Sequence, residues 1–227
     1  MNCMYEFYRM YILLIAATKF EIAPTLLLIE KQQVAFNNHT IKVLITGVGQ
    51  VNTTYQLASN IINKKPALVI QAGIAGTFKE QYLLTQTLLV KQDCMGDLGM
   101  EEKEKFTTLF DAGFADKNEF PFTDGYLINN NAKIFDSSLL KSVNAVTVNK
   151  VSDSLLQKQQ LINNFDPDIE SMEGAAFHYV CLLQNIPFIQ IRSISNAVGE
   201  RDKTKWTIKD AIINLNIELE KFIKQLT

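Results

Sequence analysis

The chain has 227 residues, 47% of them hydrophobic and 20% charged, which are the proportions of a folded globular protein and not of a disordered one. Lys and Arg number 22 against 24 Asp and Glu, and a formal net charge of −2 excludes the positive surplus that a nucleic-acid backbone demands of its main partner. Cys3, Cys94 and Cys181 are scattered and odd in number, against a disulfide framework, and His39 and His178 share no metal-ligand spacing with each other or with a cysteine.

At roughly 150 residues per domain, the length predicts a single domain over 1–227, with about the first ten residues as an extension. The first apolar run is 11–17. Arg9 ahead of it resembles the basic end of a signal peptide, but Lys19 and Glu21 follow at once, and a buried strand fits the run equally well. No stretch approaches the roughly 20 apolar residues of a membrane span, and a cytoplasmic protein is expected. Glu21 then stands just past a strand's exit, where a first-turn helix acid is also an ordinary occurrence.

A second run, 41–46, leads into Gly47-Val-Gly49-Gln-Val-Asn52, and Val51, Tyr55, Ala58 and Ile62 then recur at helical spacing. A third, 67–72, leads into Gly73-Ile-Ala-Gly76. Each glycine turn reads as a tight strand-to-helix connection or as a place where backbone approaches a ligand. A dinucleotide fingerprint does not fit, because Asn52 stands where the third glycine belongs and the apolar 68–70 stands where a ribose-binding acid belongs. After the run 87–91, residues 93–131 are rich in Gly, Asp, Glu and Asn and read as loops outside the main sheet.

Beyond the run 143–148 comes Asp168-Ile-Glu170-Ser-Met-Glu173-Gly-Ala-Ala176, at the head of a helix whose apolar positions are Met172, Ala175, Ala176, Tyr179, Val180 and Leu183. Acids there complement a helix dipole, but a carboxylate among apolar neighbours also marks a site. The run 187–194 opens into the polar loop Ser195-Asn196-Ala-Val-Gly199, at the carboxyl end of a strand, where α/β sheets bind ligands. A long stripe from Ile208 to Leu226 closes the chain as an amphipathic helix. Near-continuous apolar runs alternating with helices predict an α/β layer fold with a mostly parallel sheet.

The order of these pieces resembles the nucleoside phosphorylase and nucleosidase superfamily: a glycine turn, A-G-x-A-G, E-x-M-E-G-A-A, then a late R-x-I-S-[DN] strand. The resemblance runs from about Ile12 to the C-terminal helix. Within it, Asp168-Ile-Glu-Ser-Met-Glu-Gly, Arg192-Ser-Ile-Ser-Asn-Ala-Val-Gly and the 96–102 loop look like the futalosine hydrolase family of purine nucleosidases. The resemblance implies a single three-layer α/β/α domain with a mixed, mostly parallel twisted sheet. It implies no cofactor and no metal, water as the nucleophile, a purine nucleoside as substrate, and a homodimer or higher homo-oligomer.

It also implies site residues. Glu21 matches the acid that activates water, Glu173 the acid that holds the ribose hydroxyls, and Met172 the residue under the sugar. Asn196 matches the residue facing N7 and the six-position of the base, where aminopurine nucleosidases place an Asp. Gly76 belongs to the turn lining the pocket, Val151 lies about where a relative's backbone meets the base, and Trp206 falls where relatives place an aromatic near the 5′ end of the sugar; charge and position, not the resemblance, add Lys205 and Arg201 beside Trp206 for an acidic substituent there. These types suit the reaction: cleaving an N-ribosidic bond builds positive charge on the sugar and negative charge on the leaving base. The alternatives are another purine nucleosidase, such as one for methylthioadenosine and adenosylhomocysteine, or a silent purine-binding protein.

Overall fold

All six apolar runs become strands in the computed structural model, which describes residues 10–31, 39–200 and 202–226. They are β1 (Tyr11–Ala16), β2 (Thr40–Ile45), β3 (Leu68–Thr77), β4 (Thr87–Asp93), β8 (Lys141–Thr147) and β10 (Phe188–Ala197). The first run is thus a strand, buried from Ile12 to Ala16. Most of the proposed ten-residue extension, with Arg9 and Cys3, lies outside the described residues.

Three short strands are β5 (Gly99–Glu102), β6 (Lys105–Thr108) and β7 (Leu127–Ile128), and a fourth is β9 (Ile169–Ser171). β3 pairs in parallel with β10 along one edge; on the other it pairs with β1 through residues 68–71 and, antiparallel, with β9 at Gly76 and Thr77. β9 lies beside β8, β8 beside β4, and β4 antiparallel to β10. The sheet is mixed and mostly parallel, as expected, but it also closes on itself: β3, β10, β4, β8 and β9 form a ring, with β1 and β2 as a parallel wing.

Alternation along β1 shows the layers. Ile12 and Leu14 join Ile70, Ile189 and Ile191 under the helix α6 (Ile208–Gln225), through Leu215, Leu219 and Ile223, with α1 (Ala23–Glu30) beside it. Leu13 and Ile15 face the opposite way, onto Leu57 and Ile61 of α2 (Gln50–Asn63) and Phe177 and Val180 of α5 (Gly174–Leu183). The remaining helices are α3 (Ala132–Ser137) and α4 (Leu155–Phe165). Each buried Leu, Ile or Phe side chain contributes about 1.5–3 kcal/mol before the entropy of ordering is set against it, which makes β1, buried on both faces, a central part of the core.

The helices depart from expectation in two places. In α2 the buried positions are Thr53, Leu57 and Ile61, whereas the stripe read from the sequence points outward, with Val51 80% and Ile62 78% exposed. Met172 precedes α5 instead of belonging to it. The 93–131 segment is not all loop: β5 and β6 form their own hairpin, and β7 joins β4. Behind the head of α5 lies a sealed polar knot. Asp93, fully buried, accepts from the Thr147 hydroxyl and the Cys94 N–H, each at 2.9 Å, and from Gln190 Nε2 at 3.3 Å. His178 is buried beside it, with Nδ1 donating to the Leu127 carbonyl at 2.9 Å.

Candidate active site

A cleft of about 320 Å³ opens at the carboxyl ends of β1, β3 and β10. Its lining includes Glu21, Gly76, Val151, Met172, Glu173, Asn196 and Trp206. Residues separated by up to 185 positions in sequence meet because the parallel strands all end on this side.

Glu21 sits in the turn between β1 and α1, only 7% exposed. Its Oε2 accepts from the N–H and hydroxyl of Thr18, at 2.9 and 3.1 Å, and its Oε1 from the Ile74 N–H at 3.2 Å. Three donors fix the carboxylate in one orientation. Burial raises its pKa above the ordinary glutamate value and the negative Glu173 adds to this, while Arg192 and the Ile74 and Thr18 bonds pull the other way.

Glu173 caps the start of α5 in position but turns its side chain to the cleft. Oε1 accepts from the Gly49 N–H at 3.1 Å, and Oε2 faces Arg192 Nη1 at 3.4 Å. Both partners are nearly sealed, with side chains 6% and 2% exposed. Arg192 also donates to the Ile74 carbonyl at 3.3 Å. Gly73 makes room for this arrangement: a Cβ there would stand 2.4 Å from Arg192 Nη1 and 2.9 Å from Glu21 Oε1. The arginine between the two acids was recognised in the sequence only as a letter of the late strand motif, since nothing in its spacing says which carboxylates it meets.

Asn196 follows a bulge in β10, where the register with β3 shifts between Ile194 and Asn196. Bulges re-aim side chains, and this one brings both Ser195 and Asn196 to the cleft. The Ser195 hydroxyl donates to Asn196 Oδ1 at 2.7 Å, and Asn196 Nδ2 donates to the Ala197 carbonyl at 2.9 Å. The amide therefore presents its second N–H as a donor in a set orientation. Trp206 is held by a 2.9 Å bond from its indole N–H to the Glu200 carbonyl, and with Phe20, Val48 and Ile208 it adds apolar surface to the cleft lining. Lys205 is not at the cleft: it is exposed and pairs with Glu200 at 2.8 Å. Arg201 lies outside the described residues.

The phosphorylase superfamily model matches residues 29–226. Futalosine hydrolase from Thermus thermophilus is 28% identical over 172 residues, covering 74% of this chain and 75% of its own. A 5′-methylthioadenosine/S-adenosylhomocysteine nucleosidase from Buchnera aphidicola is 23% identical over 207 residues, 83% of this chain and 80% of its own. The crystal structure of the 5′-methylthioadenosine/S-adenosylhomocysteine nucleosidase from Helicobacter pylori superposes with a TM-score of 0.78, covering 96% of this chain and 100% of its own; at 19% identity the likeness is one of fold. With the family model spanning most of the sequence, the ring-closed α/β sheet and the cleft at its strand ends have their place: the chain belongs to the phosphorylase superfamily.

Proposed function

We propose that the protein is a nucleosidase that hydrolyses the N-ribosidic bond of futalosine, releasing hypoxanthine and dehypoxanthine futalosine, a step of menaquinone biosynthesis. The observation that carries the nucleosidase reading is the pair of buried carboxylates, Glu21 and Glu173, flanking Arg192 in one cleft with Asn196. Glu21, anchored by three donors and made more basic by burial, positions and deprotonates water. Glu173, tied to Gly49 and Arg192, holds the ribose hydroxyls and offsets the positive charge of the oxocarbenium-like sugar. Asn196 donates to the base as it leaves, and Met172 lies under the sugar.

Hydrolysis is favoured over phosphorolysis because Arg192 is already committed to Glu173 and Ile74, and Glu21 would repel a bound phosphate. The Buchnera relative favours a second reading, a methylthioadenosine or adenosylhomocysteine nucleosidase. The amide at Asn196, in place of an acid, supports the 6-oxo base of futalosine. A panel of nucleosides assayed for free base, with and without phosphate, decides between them. Hypoxanthine release independent of phosphate is expected; a saturable phosphate requirement, or adenine release alone, would sink the assignment.

The same reading has the enzyme work in the cytoplasm as a homodimer or higher homo-oligomer. Its support is α2, which carries no charged residue along its 14 positions and exposes Val51, Tyr55 and Ile62. A two-fold contact meets its own surface, and an uncharged apolar face does so without burying an unpaired charge. Val48, just ahead of α2, lines the cleft and links the two. Sedimentation should show an oligomer that Val51→Lys with Ile62→Lys converts to monomer; a monomeric wild type would refute it.

A further inference from the structure

Glu173 stands at the N-cap of α5, the position whose side chain ordinarily accepts the first free N–H groups of a helix, yet it makes no such bond. Its carboxylate is in the cleft instead, on Gly49 and Arg192. Other residues do the capping. The Gly174 N–H donates to the Ser171 hydroxyl at 3.3 Å, and the Ala175 N–H to the Thr147 hydroxyl at 2.8 Å. Thr147 and Ser171 are both buried, like the helix end they serve.

Strand register brings these acceptors to the helix. Asp93, Thr147 and Ser171 are the last residues of β4, β8 and β9, three neighbouring parallel strands of the ring, and Thr147 is opposite Ser171. The Thr147 hydroxyl gives its one hydrogen to Asp93 Oδ1 at 2.9 Å, so towards Ala175 it offers lone pairs only. Ser171 Oγ lies 3.4 Å from the same Thr147 oxygen, and with the Thr147 hydrogen committed it is the donor of that pair. Every hydrogen then points one way, from two helix N–H groups through two hydroxyls to Asp93. Gly174 lets the helix end come down on this chain: a Cβ there would stand 2.0 Å from Asp93 Oδ2 and 2.3 Å from Gln190 Nε2.

Without the Thr147 hydroxyl the Ala175 N–H is buried with no acceptor, which is costly. The side chain placed by sequence to replace it is that of the N-cap residue itself, and Glu173 reaches back to the helix only by leaving Gly49 and Arg192. We propose that Thr147, oriented by Asp93 and assisted by Ser171, is a positioning residue that takes over the capping of α5 and so keeps the Glu173 carboxylate in the cleft, where it holds the ribose hydroxyls. This role rests on the reading of Glu173 as the ribose-holding acid, and adds what keeps that acid free for the sugar.

The readout is discrimination at the sugar: kcat/KM for a purine ribonucleoside substrate divided by that for its 2′-deoxy counterpart, which lacks a hydroxyl that Glu173 holds. Thr147→Val keeps the volume and removes the hydroxyl, and the ratio should fall about tenfold, the size of a lost cap. Ser171→Ala should lower it about threefold, as the weaker of the two bonds. Thr147→Ser loses a methyl but keeps the hydroxyl, and should keep the ratio. In a Glu173→Gln background the ratio has already fallen, and Thr147→Val should lower it no further, because the two act through one group. A merely structural Thr147 slows both substrates alike, so an unchanged ratio in Thr147→Val overturns the proposal. An equal fall in Thr147→Ser does the same, as does a fall that adds in full to that of Glu173→Gln. If Thr147→Val does not fold, an unchanged ratio in Ser171→Ala overturns it. The parent reading fails separately: wild type that releases no purine base, or a ratio that Glu173→Gln leaves as it was, removes both. A ratio that Glu173→Gln lowers and the hydroxyl variants leave intact removes only the role of Thr147.

Discussion

Arg192 reaches two buried carboxylate regions that are built differently. In the cleft, Glu21 and Glu173 have backbone donors, a facing guanidinium and an opening to solvent. In the knot behind α5, Asp93 has Thr147, Cys94 and Gln190 around it and no opening. Burial raises the pKa of both Glu21 and Asp93, and carries Asp93 up to about 7 despite its donors and the more distant Arg192. Burial thus sets the direction for both, and the hydrogen-bond donors and Arg192 act against it at each. A working acid–base group needs the first arrangement, and a structural one tolerates the second.

The comparison breaks most severely at the arginine. Arg192→Met leaves Glu173 buried without its cation, and losing one partner of such a pair costs about 3–5 kcal/mol. Urea unfolding measures this; a loss below about 1 kcal/mol would mean that the pair does not stabilise the cleft. Next comes Glu21→Gln, which removes the carboxylate proposed as the base but keeps the shape. A fall in kcat of about 10²-fold or more is expected, with the fold retained. The wild-type rate should also fail on the acid side at a pH above that of an ordinary glutamate. Glu173→Gln removes a charge that raises the pKa of Glu21, so that limb should move to lower pH. Near-normal turnover in Glu21→Gln would show that the water is activated elsewhere.

The effect of pH sharpens the contrast. Unfolded Asp93 loses its proton near pH 4, but folded Asp93 keeps it to about 7. The folded state therefore holds an extra proton across that window, and the stabilisation this gives is lost as pH rises through about 7. Asp93→Asn has no such proton, so its stability relative to wild type should improve by about 1.4 kcal/mol per pH unit between about 4 and 7. Taking the difference between the two proteins cancels the opposing trend of His178, whose burial lowers its pKa to about 4. A flat difference would place Asp93 ionised throughout.

Much of the fold was legible because strands covered on both faces must be apolar along their length, and the six runs have that property. The ring was not legible: its closing strand, β9, is the three residues Ile-Glu-Ser, with no apolar run to announce it. The α2 faces were confused because Val51, Tyr55 and Ile62 and the buried Thr53, Leu57 and Ile61 both recur at helical spacing, and no charge marks the outer side. The β5–β6 hairpin turns at Lys103 and Glu104, at φ of 50° and 63°, a conformation that Asn-Gly would have advertised and Lys-Glu does not. For the cleft, the family motif indicated Glu21, Glu173 and Asn196. It was silent on how Thr18, Gly49 and Arg192 hold the two acids, because those partners are set by register and chain reversal.

Closure of the strand ring also bears on how long the row of Glu170, Gly76 and Asn196 keeps its shape. Glu170, Gly76 and Asn196 lie on three consecutive ring strands, so the row cannot fray outward as an edge can. Local opening draws on weakly packed segments, and amides in this row should exchange with solvent deuterium only in the largest opening events. The floor of the cleft is then set before any ligand arrives. Binding spends little of its free energy on ordering the walls, and more of it is left to distinguish one ligand from another.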